Sequence, residues 1–140
     1  MTPDRNAETS TGSPAHLRIV TIRGKGRGVV AARRIAEGEL VERSPVLVIP
    51  AEDWRLVQDT IISKFCFSWR DGTDETALAL GYASLLNHSY APNVYCHRRI
   101  RQRVLEFVAL RDIEEGEEIT LNYNGDPDSR EPVDFRVLGP

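Results

Sequence analysis

The chain has 140 residues, 41% of them apolar, with 18 Lys and Arg against 21 Asp and Glu for a formal charge of −3. That is the length of one compact domain with enough apolar residues for a core, and its charge argues against a general nucleic-acid-binding protein. No apolar run approaches the roughly 20 residues of a membrane span, no charged-then-apolar leader is visible, and Cys66 and Cys96 alone build neither a disulfide framework nor a four-thiolate zinc site.

Residues 1–16 are polar and turn-forming and read as a disordered tail. Short β-branched runs at 17–22, 28–32, 40–41 and 46–49 read as strands, bounded by glycines and by Pro50. One helix is expected over 51–58, opened by Glu52 and Asp53. Residues 61–62 and 65–69 read as strand, and 76–86, rich in Ala and Leu, as a second short helix. A hairpin is expected from 93–100 and 104–110, and a last strand over 118–123. The remainder, from Asn124, is turn-rich. The expected class is mostly β.

One internal echo stands out. Residues 30–39 and 108–117 are identical at seven of ten positions, each reading as strand, glycine turn, strand. Two copies do not make a solenoid; they suggest two similarly built corners.

Three segments carry chemistry. Gly24-Lys25-Gly26-Arg27-Gly28 lies between two predicted strands. It is either a plain hairpin turn or a loop whose backbone closely approaches an anionic ligand. It is neither a Walker A loop nor a dinucleotide fingerprint, because no Ser or Thr follows Lys25 and no helix follows the glycines. In Leu85-Leu86-Asn87-His88-Ser89-Tyr90-Ala91-Pro92-Asn93, two hydrogen-bonding residues follow directly on an apolar run. Asn87 and His88 are therefore expected to be partly buried and paired, as a capped helix end or as the anchor for another segment or a purine edge. In Glu117-Glu118-Ile119-Thr120-Leu121-Asn122-Tyr123, the tyrosine ends a strand where the chain becomes irregular. That is a place for packing or for a site.

Taken in this order, the glycine loop, Asn-His-Ser-x-x-Pro-Asn and Ile-x-x-Gly-Glu-Glu-Ile-Thr-x-x-Tyr resemble the SET domain family from about residue 17 to 123. The resemblance implies a mostly β, β-clip-like fold of several small sheets with one or two short helices. A knot-like C-terminal crossing breaks the usual rule against threading. It implies a protein-lysine N-methyltransferase using S-adenosyl-L-methionine and releasing S-adenosyl-L-homocysteine, with no metal. Carried over by position, Lys25, Gly26 and Arg27 would contact the methionine end of the cofactor. Asn87 and His88 would hold its amino group and adenine edge. Tyr123 would be the catalytic tyrosine, closing the site where methyl donor and lysine channel meet.

The domain is expected over residues 17–125, with 126–140 as a tail completing the site through Phe135, against the alternative that the tail frays. Cysteine-rich flanking regions common in the family are not expected. The strand around Arg43-Ser44-Pro45 lacks a tyrosine many members carry, so Phe65, Phe67 and Tyr82 are the candidate walls of the lysine channel. Gly125 stands where several members carry a bulky aromatic, which implies room for more than one methyl group. The expected partner is a lysine-bearing protein substrate with a basic tail, steered by the acidic 112–118 region. Membrane and nucleic acid are not expected partners. The expected location is intracellular, the cytoplasm ahead of the nucleus. A non-catalytic SET-fold binding module is the alternative reading. A thiol hydrolase using Cys66 or Cys96 with His88 or His97 is a third.

Overall fold

In the computed structural model, which describes residues 15–133, the chain opens with an antiparallel hairpin of β1 (Leu17–Ile22) and β2 (Gly26–Ala31). Gly24 and Gly26, at φ of 81° and 82°, make its turn, a conformation any other residue would adopt under strain. A long strand β3 (Leu40–Ile49) follows, then the helix α1 (Ala51–Val57) and a 3-10 helix, Ile61–Phe65. Next come β4 (Cys66–Ser68), β5 (Thr76–Ala79), a second 3-10 helix (Tyr82–Leu85) and β6 (Asn87–His88). A hairpin of β7 (Val94–Arg99) and β8 (Val104–Ala109) precedes the last strand, β9 (Thr120–Leu121).

The strands form three sheets: β1-β2, a five-stranded sheet in the order β4-β5-β3-β8-β7, and the pair β6-β9. β3 holds the middle sheet together by changing partner along its length. Its first half pairs with β8 and its second half, from Val46, pairs with β5. The change falls at Pro45, which has no N–H to donate but accepts from the Leu80 N–H at 2.9 Å. Two strands predicted at 40–41 and 46–49 are therefore one. The core lies beneath this sheet, where Leu105, Phe107 and Ala109 of β8 alternate inward and meet Val29, Ile35, Val41, Ile113 and Ile119.

The structure corrects two predicted elements. The expected helix over 76–86 is β5 followed by the 3-10 turn. Ala and Leu favour helix by only tenths of a kcal/mol per residue, whereas Thr76–Ala79 is hydrogen-bonded on both sides, to β3 and β4, with Ala77 and Ala79 buried. The expected strand at Ile61-Ile62 is a 3-10 turn instead, with Ile61 exposed because no sheet edge covers it.

The internal echo is structural. Ile35 and Ile113 exchange both backbone hydrogen bonds at 2.8 Å. The Gly38 N–H donates to the Ala109 carbonyl while the Gly116 N–H donates to the Ala31 carbonyl. Arg33–Glu39 and Arg111–Glu117 form matching ion pairs. The two copies thus pair with each other about a local two-fold axis, each satisfying the other's backbone.

Candidate active site

The site forms where β6 and β9 lie side by side in parallel, Asn87 opposite Thr120 and His88 opposite Leu121. The loop after β6 locks onto the same segment: the Ser89 N–H donates to the Leu121 carbonyl and the Asn93 N–H to the Thr120 carbonyl. Asn93 is almost fully buried at 1% exposure. Its amide donates to the Glu118 carbonyl at 2.7 Å and to Glu117 Oε2 at 2.9 Å, and its Oδ1 accepts from the Thr120 N–H at 2.9 Å. This is the crossing at which the C-terminal segment is seated against the earlier chain.

Tyr123 is held by both strands. Its N–H donates to His88 Nδ1 at 3.0 Å and its hydroxyl to the Leu86 carbonyl at 2.6 Å. Its ring meets the His88 imidazole edge-on at 5.3 Å, and Tyr90 packs on the other side of that imidazole at 4.5 Å. Although 45% of Tyr123 is exposed, its hydroxyl end is turned inward. Burial, reinforced by the negative charge of Glu118, pushes its phenol up to about 12. Burial, reinforced by the charge of Lys25, pushes His88 below its ordinary value. A neutral imidazole accepting at Nδ1 carries its proton on Nε2.

A polar cluster forms around Glu118, whose charge Tyr123 feels. Asn87 Nδ2 donates to the Arg27 carbonyl at 3.1 Å and to Glu118 Oε2 at 2.8 Å, while Lys25 Nζ pairs with Glu118 Oε1 at 2.8 Å. The glycine loop and the Asn-His segment, far apart in sequence, thus meet on one carboxylate. A Cβ at Gly28 would stand 2.4 Å from Ile22 Cδ1, 2.8 Å from Asn87 Nδ2 and 3.0 Å from Glu118 Oε2, so the ends of these side chains would have to move. At Gly26 the space is open.

Tyr123 also lines a cleft of about 380 Å³ whose walls include Phe65, Phe67, Tyr95, Leu86 and Leu121, with Gly125 and the charged Lys64, Asp71 and Arg98 also on its lining. Phe65 and Phe67 are where the sequence places channel residues. Tyr82 is not on this wall; its ring packs against the core and its N–H donates to the buried Glu42 carboxylate at 2.8 Å. Tyr95, on β7, supplies the aromatic wall that sequence reasoning missed. Cys66 and Cys96 also face the cleft. Burial pushes the Cys96 thiol up to about 12 and raises that of Cys66, which disfavours the thiolate in both.

Residues after Gly125 are tied over this region. Asn122 Nδ2 donates to the Ser129 carbonyl, and Tyr90 Oη and Asn124 Nδ2 both donate to the Glu131 carbonyl. Phe135 lies outside the described residues, as do residues 1–14 of the expected tail. Among the described residues no group of His, Cys, Asp or Glu is arranged to hold a metal ion, and no helix is long and apolar enough to cross a membrane.

A mostly β chain of small curled sheets, with Asn-His and Tyr brought together at a C-terminal crossing, defines the SET class of protein. The SET domain family profile matches residues 26–124, and the chain belongs to that family. It is 34% identical over 108 residues to the histone-lysine N-methyltransferase, H3 lysine-37 specific, of Schizosaccharomyces pombe, covering 76% of this chain and 72% of that one. It is 32% identical over 130 residues to the N-lysine methyltransferase KMT5A-A of Xenopus laevis, covering 81% of this chain but 37% of that protein. The fold matches the crystal structure of a Plasmodium falciparum protein assigned as a histone methyltransferase, with TM-score 0.64 and 26% identity over 77% of this chain and 92% of that one. Family, fold and relatives make this chain a protein-lysine methyltransferase.

Proposed function

We propose that the protein transfers a methyl group from S-adenosyl-L-methionine to a lysine side chain presented through the aromatic cleft. The observation that carries this reading is Tyr123, which lines the cleft and feels the charge of Glu118, the carboxylate that Lys25 and Asn87 hold. The residues present fit such a cofactor. A carboxylate, a carboxamide and open backbone at Gly26 suit a zwitterionic amino-acid end, and the aromatic group of His88, Tyr90 and Tyr123 suits a neutral heterocycle. Lys25, Gly26 and Arg27 would bind the methionine end through backbone groups, and Asn87 and His88 the amino group and adenine edge. When bound, the cofactor supplies an electrophilic methyl on a sulfonium.

The protein then has to deliver a neutral amine in line with that methyl. A free lysine of pKa near ~10.4 is neutral in only roughly one molecule in 2,500 at pH 7. Phe65, Phe67, Tyr95, Leu86 and Leu121 strip water from the ammonium and so lower its pKa. Tyr123 keeps its own proton at neutral pH, so it is not the base. With its O–H committed to the Leu86 carbonyl, it turns its oxygen lone pairs towards the amine and orients it. The reaction is thus accelerated mainly by alignment.

Gly125 on the cleft lining leaves room for more than one methyl group. The domain spans 17–125, and residues 126–133 of the tail are held against the site through the carbonyls of Ser129 and Glu131. The Schizosaccharomyces pombe relative is named for a histone H3 lysine, so histone H3 is the first substrate class to offer, and an intracellular, nuclear location follows from it. Calorimetric titration with S-adenosylhomocysteine of the wild type and of Asn87→Ala tests the cofactor site. Micromolar binding lost in the variant is expected; no binding by folded wild-type protein would shift the assignment to a non-catalytic SET-fold module. Transfer of labelled methyl to recombinant histone H3 then tests the substrate class.

A further inference from the structure

Glu118 touches both the glycine loop and Asn87, whereas from sequence the acidic run in which it lies reads as a surface that steers substrate. Its Oε2 is held by Asn87 Nδ2 at 2.8 Å. Its Oε1 faces the glycine loop and carries the Lys25 ammonium at 2.8 Å. Both side chains are about one-fifth exposed, Lys25 at 19% and Glu118 at 20%.

A pin for the hairpin turn would be a redundant use of this pair. β1 and β2 already pair over six residues each, and the turn is closed by the Lys25 N–H on the Ile22 carbonyl. Partly exposed ion pairs add little to stability. The pair does, however, place an ammonium against a carboxylate beside Asn87, next to the open space at Gly26 and close enough to His88 to disfavour its protonation. That is the arrangement an α-ammonium group needs.

We propose that Glu118 is the anionic anchor for the α-ammonium of the cofactor's amino-acid end, and that Lys25 holds this place in the ligand-free protein and is displaced on binding. The inference rests on the cofactor reading above and goes beyond it. It assigns the carboxylate that recognises the amino group, and it makes the side chain of Lys25 a competitor of the ligand. The backbone of Lys25 remains available to the methionine end.

The test is calorimetric titration of wild type, Glu118→Gln and Lys25→Met with two ligands. S-adenosylhomocysteine carries the amino-acid end; 5′-methylthioadenosine carries the adenosine and thioether without it. Glu118→Gln weakens S-adenosylhomocysteine roughly tenfold by removing a charge-assisted hydrogen bond and leaves 5′-methylthioadenosine within about twofold of wild type. Lys25→Met tightens S-adenosylhomocysteine by roughly three- to tenfold, because the competent state no longer has to be freed of its competitor, and leaves 5′-methylthioadenosine unchanged. Equal weakening of both ligands by Glu118→Gln overturns the proposal in favour of a structural role. Weaker or unchanged S-adenosylhomocysteine binding by Lys25→Met overturns it too, and that arm stands alone if Glu118→Gln does not fold. Wild-type protein that binds neither ligand refutes the cofactor reading itself.

Discussion

Replacing Asn93 by Ala should loosen the crossing that builds the active site. The side chain makes three hydrogen bonds, and two of its partners are backbone groups of the C-terminal segment: the Glu118 carbonyl and the Thr120 N–H. Alanine strips both. Thr120 is 7% exposed, so water replaces the lost bonds poorly, and each orphaned buried group costs about 1–3 kcal/mol. The third bond, to Glu117, adds little because that carboxylate also has Arg111 and is partly exposed. The expected loss is about 4 kcal/mol, a large share of the roughly 5–15 kcal/mol that holds a domain folded. Urea unfolding followed by circular dichroism reads it as a lower midpoint. Asn93→Asp keeps the acceptor for Thr120 but loses both donors and faces the Glu117 carboxylate. It should be at least as damaging at neutral pH and partly recover on acidification. An Asn93→Ala protein within 1 kcal/mol of wild type would refute the view that this side chain carries the crossing.

Three further outcomes are expected. Tyr123→Phe, which loses the bond to the Leu86 carbonyl, should reduce methyl transfer roughly 100-fold through misalignment, with S-adenosylhomocysteine affinity nearly unchanged; a matching loss of affinity would place Tyr123 in binding instead. Gly28→Ala, whose methyl pushes aside the ends of the Ile22 and Asn87 side chains, should cost about 1 kcal/mol by overpacking and weaken S-adenosylhomocysteine binding by displacing Asn87, so retained wild-type affinity counts against the loop. The rate should rise from pH 7 to 10 as substrate lysine deprotonates, with no fall from Tyr123, which titrates only at about 12. Because the folded-state value of Tyr123 is raised above its usual 10, its contribution to stability is complete below pH 10 and lost as pH rises from there through 12. His88, lowered in the folded state from 6.5, acts in the opposite direction and destabilises the protein as pH falls below 6.5. Thermal midpoints measured across this range check both signs.

Local signals were strong where neighbours in sequence are neighbours in space. The β1-β2 and β7-β8 hairpins and α1 follow from alternation, glycine turns and acidic residues near the helix start. The repeated strand–turn–strand pattern is visible as identity, although only the fold shows that its copies pair with each other. Residues 76–79 could not be read correctly from their own composition, because an Ala- and Leu-rich run becomes a strand only between two partners distant in sequence. The same holds in the site. Asn87, His88 and Tyr123 stand out by type and order, but Glu118 is one acid among several until Lys25 and Asn87 are seen to converge on it. Tyr95 looks like any strand aromatic until β7 curls it towards Phe65 and Phe67.

The shortness of β6 and β9, two residues each, has a consequence for when the enzyme exists as an enzyme. The five-stranded sheet can close its ladders without the segment from Glu118 to Tyr123, but the catalytic centre cannot, since half of it arrives on that segment. During synthesis the segment leaves the ribosome after every strand of the other two sheets, so the crossing is completed late. Run in reverse, the same step withdraws Ile119 and Leu121 from the core, so the crossing opens only as the main packing is lost.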